Sequence, residues 1–376
     1  MLNIKALHYC VIPETNNNAG DNLLYELIRK VIDFYMKDIR ITWITKSQWE
    51  VSTAKEINNL KVDFVLFGGG GLFLPDQEGA RSHNNTGWQI DIPEYEYKNI
   101  RPFYFGTAIG FNWFRNCKYK KEIIKNSAKS FIEHSEGIGI RNYGSIENIK
   151  KITSLDNGIS WLPCPTTFIS KLPYLGIDNE LDKFEKDELS KNGSYNFKKK
   201  LNIAINLSCD RLEQRNLKKS DFIKLRPMIE DLINDGHKIK YLAHKNLDLI
   251  AYEIIGSKYF EELINIASYS KKEIIQEYKK FDCVFGGRGH SLMIPVGLSI
   301  PVISLTSHDK QKFFMQDLKL NKFSIEISDL SGEEIKRNTA ILIKQINSQY
   351  KFINDYQNLA LDAWKKFVDK IYYKFK

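Results

Sequence analysis

The run Phe281-Asp282-Cys283-Val284-Phe285 ends in Gly286-Gly287-Arg288-Gly289-His290, and Ser291 to Leu298 follows with a helical pattern. Strand, glycine-rich turn and helix are expected in that order, with Arg288 and His290 in the turn at the helix start. An arginine fork at such a place suits a carboxylate or a phosphate. A histidine beside it can move protons near neutral pH. The plainer alternative is that both side chains only pair with nearby carbonyls. Ser307-His308-Asp309-Lys310 follows the next strand, Pro301 to Leu305, again at its carboxyl end. Lys310 is thus a further candidate cation and His308 a second candidate acid or base.

Three other segments carry possible binding groups. Asn18-Ala19-Gly20-Asp21-Asn22 lies between a first strand and a first helix, where Asp21 or Asn22 could cap the helix and free N–H groups could meet an anion. Asp63 to Phe67 is a short apolar strand that should stop in Gly68-Gly69-Gly70-Gly71, bringing backbone close to a ligand or only to a neighbouring loop. That run is not a Walker A loop, and Phe73 stands where a dinucleotide-binding motif needs its third glycine. Ile138 to Ser145 places Arg141 at the end of a strand, with Ser145 as candidate cap of the next helix. There is no His-Glu-x-x-His, paired-aspartate loop, clustered Cys/His or Gly-x-Ser-x-Gly elbow, so no metal and no serine-hydrolase site is expected.

The elements that must hold these residues alternate between short apolar strands and helices, a pattern of parallel sheets covered on both faces. Strands are expected at 4–12, 63–67, 103–109, 138–141, 201–207 and 238–242, with helices at 21–36, 120–134, 221–235 and 271–280. The charged segment LDKFEKDELSKNGSYNFKKK interrupts the pattern, which restarts at Leu201. The predicted organisation is an N-terminal Rossmann-like domain over 1–175, a connection over 176–200 and a C-terminal Rossmann-like domain over 201–345 carrying the Arg288–His290 motif. An amphipathic helix over 346–376 would pack back on a domain or lie on a membrane. The fold class is α/β: two facing Rossmann-like domains, GT-B-like, with parallel sheets and an interdomain cleft at the carboxyl ends of the strands.

Composition narrows the classes. The 376 residues suffice for two domains, and 43% hydrophobic with 27% charged residues is a globular composition. Lys plus Arg number 55 against 46 Asp plus Glu, a net charge of +9 that fits anionic partners or is simply solvation. Five scattered cysteines without a Cys-x-x-Cys pair argue against a disulfide framework and suit a reducing cytosol. No signal peptide is visible and no stretch approaches a membrane span, so a cytoplasmic protein is expected, with work at the inner membrane face left open. Basic residues are not interleaved with aromatics as in nucleic-acid binders, so no nucleic-acid partner is expected.

Taken in order, these motifs resemble the polysaccharide pyruvyl transferase family. The order runs Gly20-Asp21, the Asp63–Gly71 strand and turn, Gly106 to Gly110, Arg141 to Ser145, Arg288-Gly289-His290, Pro301-Val302 and Lys310. Two positions depart from the family's pattern: Cys164-Pro165 stands where Asp-Pro is usual, and Gly289 where the Arg-x-His motif usually carries a bulky apolar residue. The resemblance implies transfer of pyruvate from phosphoenolpyruvate to two hydroxyls of one sugar, a hexose such as galactose, giving a cyclic ketal and phosphate. It implies no cofactor beyond that donor, and a glycan or lipid-linked oligosaccharide as acceptor. His290 and Arg288 become the catalytic candidates, with the acid or base role of His290 open. Arg141, Arg288, Lys310, Gly286 and Gly287 become the donor-binding candidates. Asp21, Asn18, Gly69, Gly70 and Trp88 are weaker acceptor candidates, with Trp113 and Tyr143 as further aromatic surfaces for a sugar face. Two other readings stand beside this one: a GT-B glycosyltransferase with a nucleotide-sugar donor, and a non-catalytic scaffold for membranes or anionic glycans. Oligomeric state is not legible.

Overall fold

The computed structural model describes residues 1–10, 18–47, 50–73, 89–111, 121–172 and 200–376. Two compact units divide the chain: Met1–Asn16, Leu24–Pro165 and Asp362–Lys376 form the first, and Asn17–Leu23 with Thr166–Leu361 the second. The connection expected over 176–200 falls almost wholly outside the described residues.

In the first unit the chain runs β1 (Leu2–Cys10), α1 (Ala19–Tyr35, of which Ala19–Leu23 belong to the second unit), β2 (Ile39–Ser47), α2 (Ala54–Asn59), β3 (Phe64–Phe73), β4 (Phe103–Phe111), α3 (Lys121–His134), β5 (Ile138–Ile140), α4 (Tyr143–Thr153) and β6 (Ile159–Trp161). Its strands form one parallel sheet in the order β2-β1-β3-β4-β5-β6. Leu24, Leu27, Ile28, Val31 and Ile32 recur at helical spacing along α1 and are buried. The capping box of Thr53 and Glu56 starts α2.

Two sequence expectations are corrected here. β3 does not stop at the glycines but runs through them to Phe73. Gly68, Gly69 and Gly70 take φ values of +141°, +86° and +101°, and a Cβ on Gly69 would lie 2.8 Å from Ile28 Cδ1 of α1. The glycine run thus lets the helix pack down on the strand, and Gly69 and Gly70 are buried by that packing. The cap of α4 is Asn142 rather than Ser145: Asn142 Oδ1 accepts from the Ser145 N–H at 2.8 Å.

The second unit holds β7 (Asn202–Asn206), α5 (Arg226–Asn234), β8 (Lys238–Ala243), α6 (Leu249–Ile255), β9 (Glu262–Asn265), α7 (Lys271–Tyr278), β10 (Cys283–Gly286), α8 (His290–Gly297), β11 (Val302–Thr306), α9 (Asp309–Asp317), β12 (Ser324–Glu326) and α10 (Gly332–Lys344). The sheet is again parallel, in the order β12-β11-β10-β7-β8-β9. Counted within the unit, that is the doubly wound dinucleotide-fold order, whose direction of winding reverses between β7 and β10. Asn206 pairs in register with Gly286, so the loops after these two strands leave the sheet side by side.

The last helix, α11 (Gln349–Tyr372), buries its apolar stripe within the protein. Ile353, Tyr356 and Ala360 are buried in the second unit, and Trp364, Phe367, Val368 and Ile371 in the first. Trp364 Nε1 donates to Pro163 O at 2.8 Å, and the Phe367 ring meets Phe105 at 5.8 Å. The stripe that suggested a membrane surface is therefore core, and among the described residues no helix is long and apolar enough to cross a membrane.

Two stability predictions come from this packing. Trp364→Ala should cost about 3–5 kcal/mol, the range for a large buried aromatic, and urea denaturation measures it; a loss well under 1 kcal/mol would contradict the assigned burial. In the first unit, His8 is fully buried, accepts at Nδ1 from Arg29 Nε at 3.2 Å and donates from Nε2 to Gly68 O at 3.0 Å. Burial, then the Arg29 charge, push its pKa down to about 3, against the Gly68 hydrogen bond. The folded value lies below the unfolded one near 6.5, so this contribution is complete above pH 6.5 and is lost as pH falls toward 3. The slope is about 1.4 kcal/mol per pH unit, and His8→Gln should remove it from unfolding free energies measured across that window.

Candidate active site

Four polar groups of the second unit meet where its sheet reverses winding. Arg288 follows β10, Asp210 follows β7, Asp248 precedes α6 after β8, and Arg215 lies five residues beyond Asp210. Asp248 is wholly buried and accepts from Arg288 Nε at 2.8 Å, and from Arg288 Nη2. Its remaining lone pairs take Asn206 Nδ2 at 3.3 Å, His244 N at 3.1 Å and Lys245 N at 3.2 Å. The opposite edge of the guanidinium, Nη1, meets Asp210 Oδ2 at 3.4 Å. Asp210 also takes Arg215 Nη2 at 3.1 Å and the Ser208 hydroxyl.

The charges follow from these contacts. Burial works against the Asp210 charge, yet Arg288 and Arg215 beside it hold the carboxyl well below the usual carboxylate range. Burial likewise opposes the charge of Arg288, but Asp210 and Asp248 keep it fully protonated and raise its pKa. His244 is held neutral, first by burial and then by the Arg288 and His290 charges, and its Nε2 bonds the Tyr278 hydroxyl.

His290 opens α8. Its Nδ1 lies 3.9 Å from Asp21 Oδ1, and Asn18 Nδ2 holds the other oxygen of Asp21 at 2.7 Å. Ala19 N donates to His244 O at 3.3 Å, fixing the start of α1 beside this turn. A Cβ on Gly20 would overlap the His290 ring, so the close approach of α1 to the imidazole requires glycine. Lys310, on α9, runs its side chain along the same turn: a Cβ on Gly289 would lie 3.5 Å from Lys310 Cε. Glycine in the middle of the Arg-x-His motif thus leaves room for the lysine stem. His308 is not presented as a free base: it caps α9, its Nδ1 accepting from Lys310 N at 3.0 Å.

The second unit therefore brings together Asn18, Gly20, Asp21, Gly286, Gly287, Arg288, His290 and Lys310. Gly287 N donates to Asn206 O at 2.8 Å, which ties the turn to β7. Arg141, Gly69 and Gly70 belong to the first unit. Arg141 is buried after β5, with its guanidinium against Gly110: a Cβ there would lie 2.5 Å from Nε. Tyr143 is exposed and stacks on Trp161 at 5.4 Å and 6°. Trp88 and Trp113 lie outside the described residues. Asp210, Asp248 and Arg215 were not among the sequence candidates. The signal that could have found them is position, since both acids sit just beyond strand carboxyl ends.

The fold and the site define a two-domain α/β protein of GT-B-like architecture. Structures of that architecture align along most of the chain. The Neisseria meningitidis UDP-GlcNAc 2-epimerase bound to UDP-GlcNAc has a TM-score of 0.59 at 11% identity, covering 98% of this chain and 99% of that one. The S. aureus MnaA–UDP co-structure has a TM-score of 0.58 at 14% identity, covering 100% and 97%. A putative UDP-N-acetylglucosamine 2-epimerase from Listeria monocytogenes has 0.56 at 12%, covering 94% and 91%. At these identities the likeness is one of fold. No match was found among curated proteins. The family model for polysaccharide pyruvyl transferase matches residues 18–309, and the chain belongs to that family.

Gly20→Ala tests the packing of the turn. It should displace His290 and lower turnover at least tenfold, and it should lower the melting temperature as well, because the new methyl would lie 2.4 Å from His290 Cβ, which no side-chain rotation moves. Retained turnover would mean that the ring position is not critical.

Proposed function

We propose that this transferase moves the enolpyruvyl carbon frame of phosphoenolpyruvate onto two hydroxyls of one acceptor sugar, forming a pyruvyl ketal and releasing phosphate. The observation that carries this reading is one turn of the second unit. It holds His290 beside the Asp21 carboxylate at 3.9 Å, with Arg288 before it and the Lys310 stem along it. A small anion with carboxylate and phosphate on neighbouring atoms needs fixed cations, and a proton carrier must reach the same carbon frame.

Proton balance then assigns the roles. The methylene carbon of the donor takes one proton and becomes methyl, which leaves C2 electron-poor. The first sugar hydroxyl adds to C2 and loses its proton. Phosphate leaves, and the second hydroxyl closes the ring and loses its proton in turn. Of the two hydroxyl protons, one is balanced by the new methyl group and the other by the departing phosphate. One group that gives and then retrieves a proton suffices, and His290 is assigned that part, with Asp21 orienting the imidazole. Lys310 and the outer edge of Arg288 are assigned to the donor's anionic groups. Arg141 is kept in the assignment on the family resemblance. The donor is a soluble metabolite, so a cytoplasmic setting with a glycan or lipid-linked acceptor goes with this reading.

Incubation with phosphoenolpyruvate and a galactose-containing acceptor should release phosphate and add pyruvate, less one water, to the acceptor mass. His290→Ala should lower kcat by about 10²–10⁴-fold, the usual contribution of a positioned acid or base, while donor affinity measured by calorimetry stays within a few-fold. Thermal stabilisation by nucleoside diphosphates but not by phosphoenolpyruvate would favour a nucleotide-sugar donor instead.

A further inference from the structure

The two carboxylates on Arg288 are held differently. Asp248 has no exposed side-chain surface and is gripped by Asn206 and two backbone N–H groups as well as by the guanidinium. Asp210 has 30% of its side chain exposed and meets Arg288 only at 3.4 Å, the long end of an ion pair. Arg215 does not depend on that carboxylate alone, since its Nε donates to Asp210 O at 2.8 Å and its Nη1 to Ser307 Oγ at 3.1 Å. Arg288 meets Oδ2 of Asp210 and Arg215 meets Oδ1 at 3.1 Å, so the carboxylate can let go of Arg288 while it stays on Arg215.

We propose that Asp210 is the exchangeable counter-ion of the donor site: its carboxylate holds the Nη1 edge of Arg288 until the phosphate or carboxylate of an incoming donor displaces it, while Asp248 positions the guanidinium throughout. The proposal rests on reading this turn as the site of a phosphate-bearing donor. Arg288, Arg215 and Lys310 all act on the Asp210 carboxylate. An anion that takes the place of Asp210 on the Nη1 edge of Arg288 therefore meets positive charge arranged for a negative group. Asp210 returning to Arg288 then helps expel product phosphate, so it tunes affinity in both directions.

The two acids should give opposite signs, and this separates exchange from a general field effect. Removing either carboxylate makes the cluster more positive, so through-space charge alone would tighten anion binding in both variants. Exchange predicts that Asp210→Asn binds inorganic phosphate and phosphoenolpyruvate about two- to fivefold more tightly, the scale of a partly exposed ion pair. Product release should slow, so kcat falls together with KM for the donor. Asp248→Asn should bind both anions at least tenfold more weakly, because the guanidinium loses its anchor. Ser208→Ala serves if either variant folds poorly: it frees the Asp210 carboxylate from the Ser208 hydroxyl and should weaken its hold on the site, tightening phosphate in the same direction as Asp210→Asn, by less. Calorimetry with phosphate and with phosphoenolpyruvate on folded protein reads all three. Phosphate binding unchanged or weaker in both Asp210→Asn and Ser208→Ala overturns the exchange, even where the wild type turns over phosphoenolpyruvate. Tighter phosphate binding in a protein that never uses phosphoenolpyruvate supports the exchange and removes the donor assignment.

Discussion

A guanidinium buried at the edge of a sheet is tolerable only when its charge is answered on the spot. In the second unit Asp248 and Asp210 answer Arg288, and much of the local structure serves that arrangement. Asn206, the last residue of β7, sends its amide to Leu242 O at 2.8 Å and to Asp248, so the carboxylate is fixed from the strand side. The N–H groups of His244 and Lys245 fix it from the loop side. Removing Asp248 would leave a buried cation uncompensated, whereas Asp210 retains contact with solvent and with a second arginine. One anchored edge and one exchangeable edge is what a ligand-binding arginine requires: the first holds geometry, the second offers it.

The sheet topology explains why these groups meet. At a reversal of winding, the loops after two adjacent strands depart in opposite directions and leave the strand ends uncovered. β7 and β10 are those strands, and the register pairing of Asn206 with Gly286 starts both loops at one level. The first unit reverses between β1 and β3, but there the glycine run draws α1 onto the strand. The polar groups nearby, His8 and Arg29, are turned on each other and on Gly68 O and Thr45 Oγ1. Each unit thus uses its reversal point differently, one for close packing and the other for charge.

What the sequence disclosed follows the same physics. Each inner strand of both sheets was legible: β1, β3, β4 and β5 in the first, β11, β10, β7 and β8 in the second. Most of their residues are buried and, apart from the lysine-bearing amino-terminal ends of β1 and β8, they read as apolar runs. The four edge strands β2, β6, β9 and β12 were not, because their residues are only partly buried and mix with polar ones, as in Glu262-Leu263-Ile264-Asn265. The glycines misled in the other direction. Four in succession after an apolar run signal a loop, yet here they continue the strand, with Gly68 pressed against Thr107 O of β4 and Gly69 against Ile28 of α1.

The site shows a parallel division. Arg288, His290 and Lys310 were legible because they crowd glycine-rich turns at strand ends, where a local motif and an expected position coincide. The partner of His290, Asp21, sits in such a segment too, but the partners of Arg288 lie 40 and 78 residues from it in sequence and belong to no motif. An isolated aspartate after a strand is ordinarily a turn former, and only the tertiary pairing distinguishes Asp248 from such a residue. The charge logic nevertheless constrains where to look. A sequence that commits an arginine to a buried turn commits a carboxylate to it as well, and in a parallel sheet the nearest positions that can supply one follow the neighbouring strands. β7 and β8 are the two strands next in line from β10, and Asp210 and Asp248 follow them in that order. The acids are therefore placed by the same topology that places the arginine.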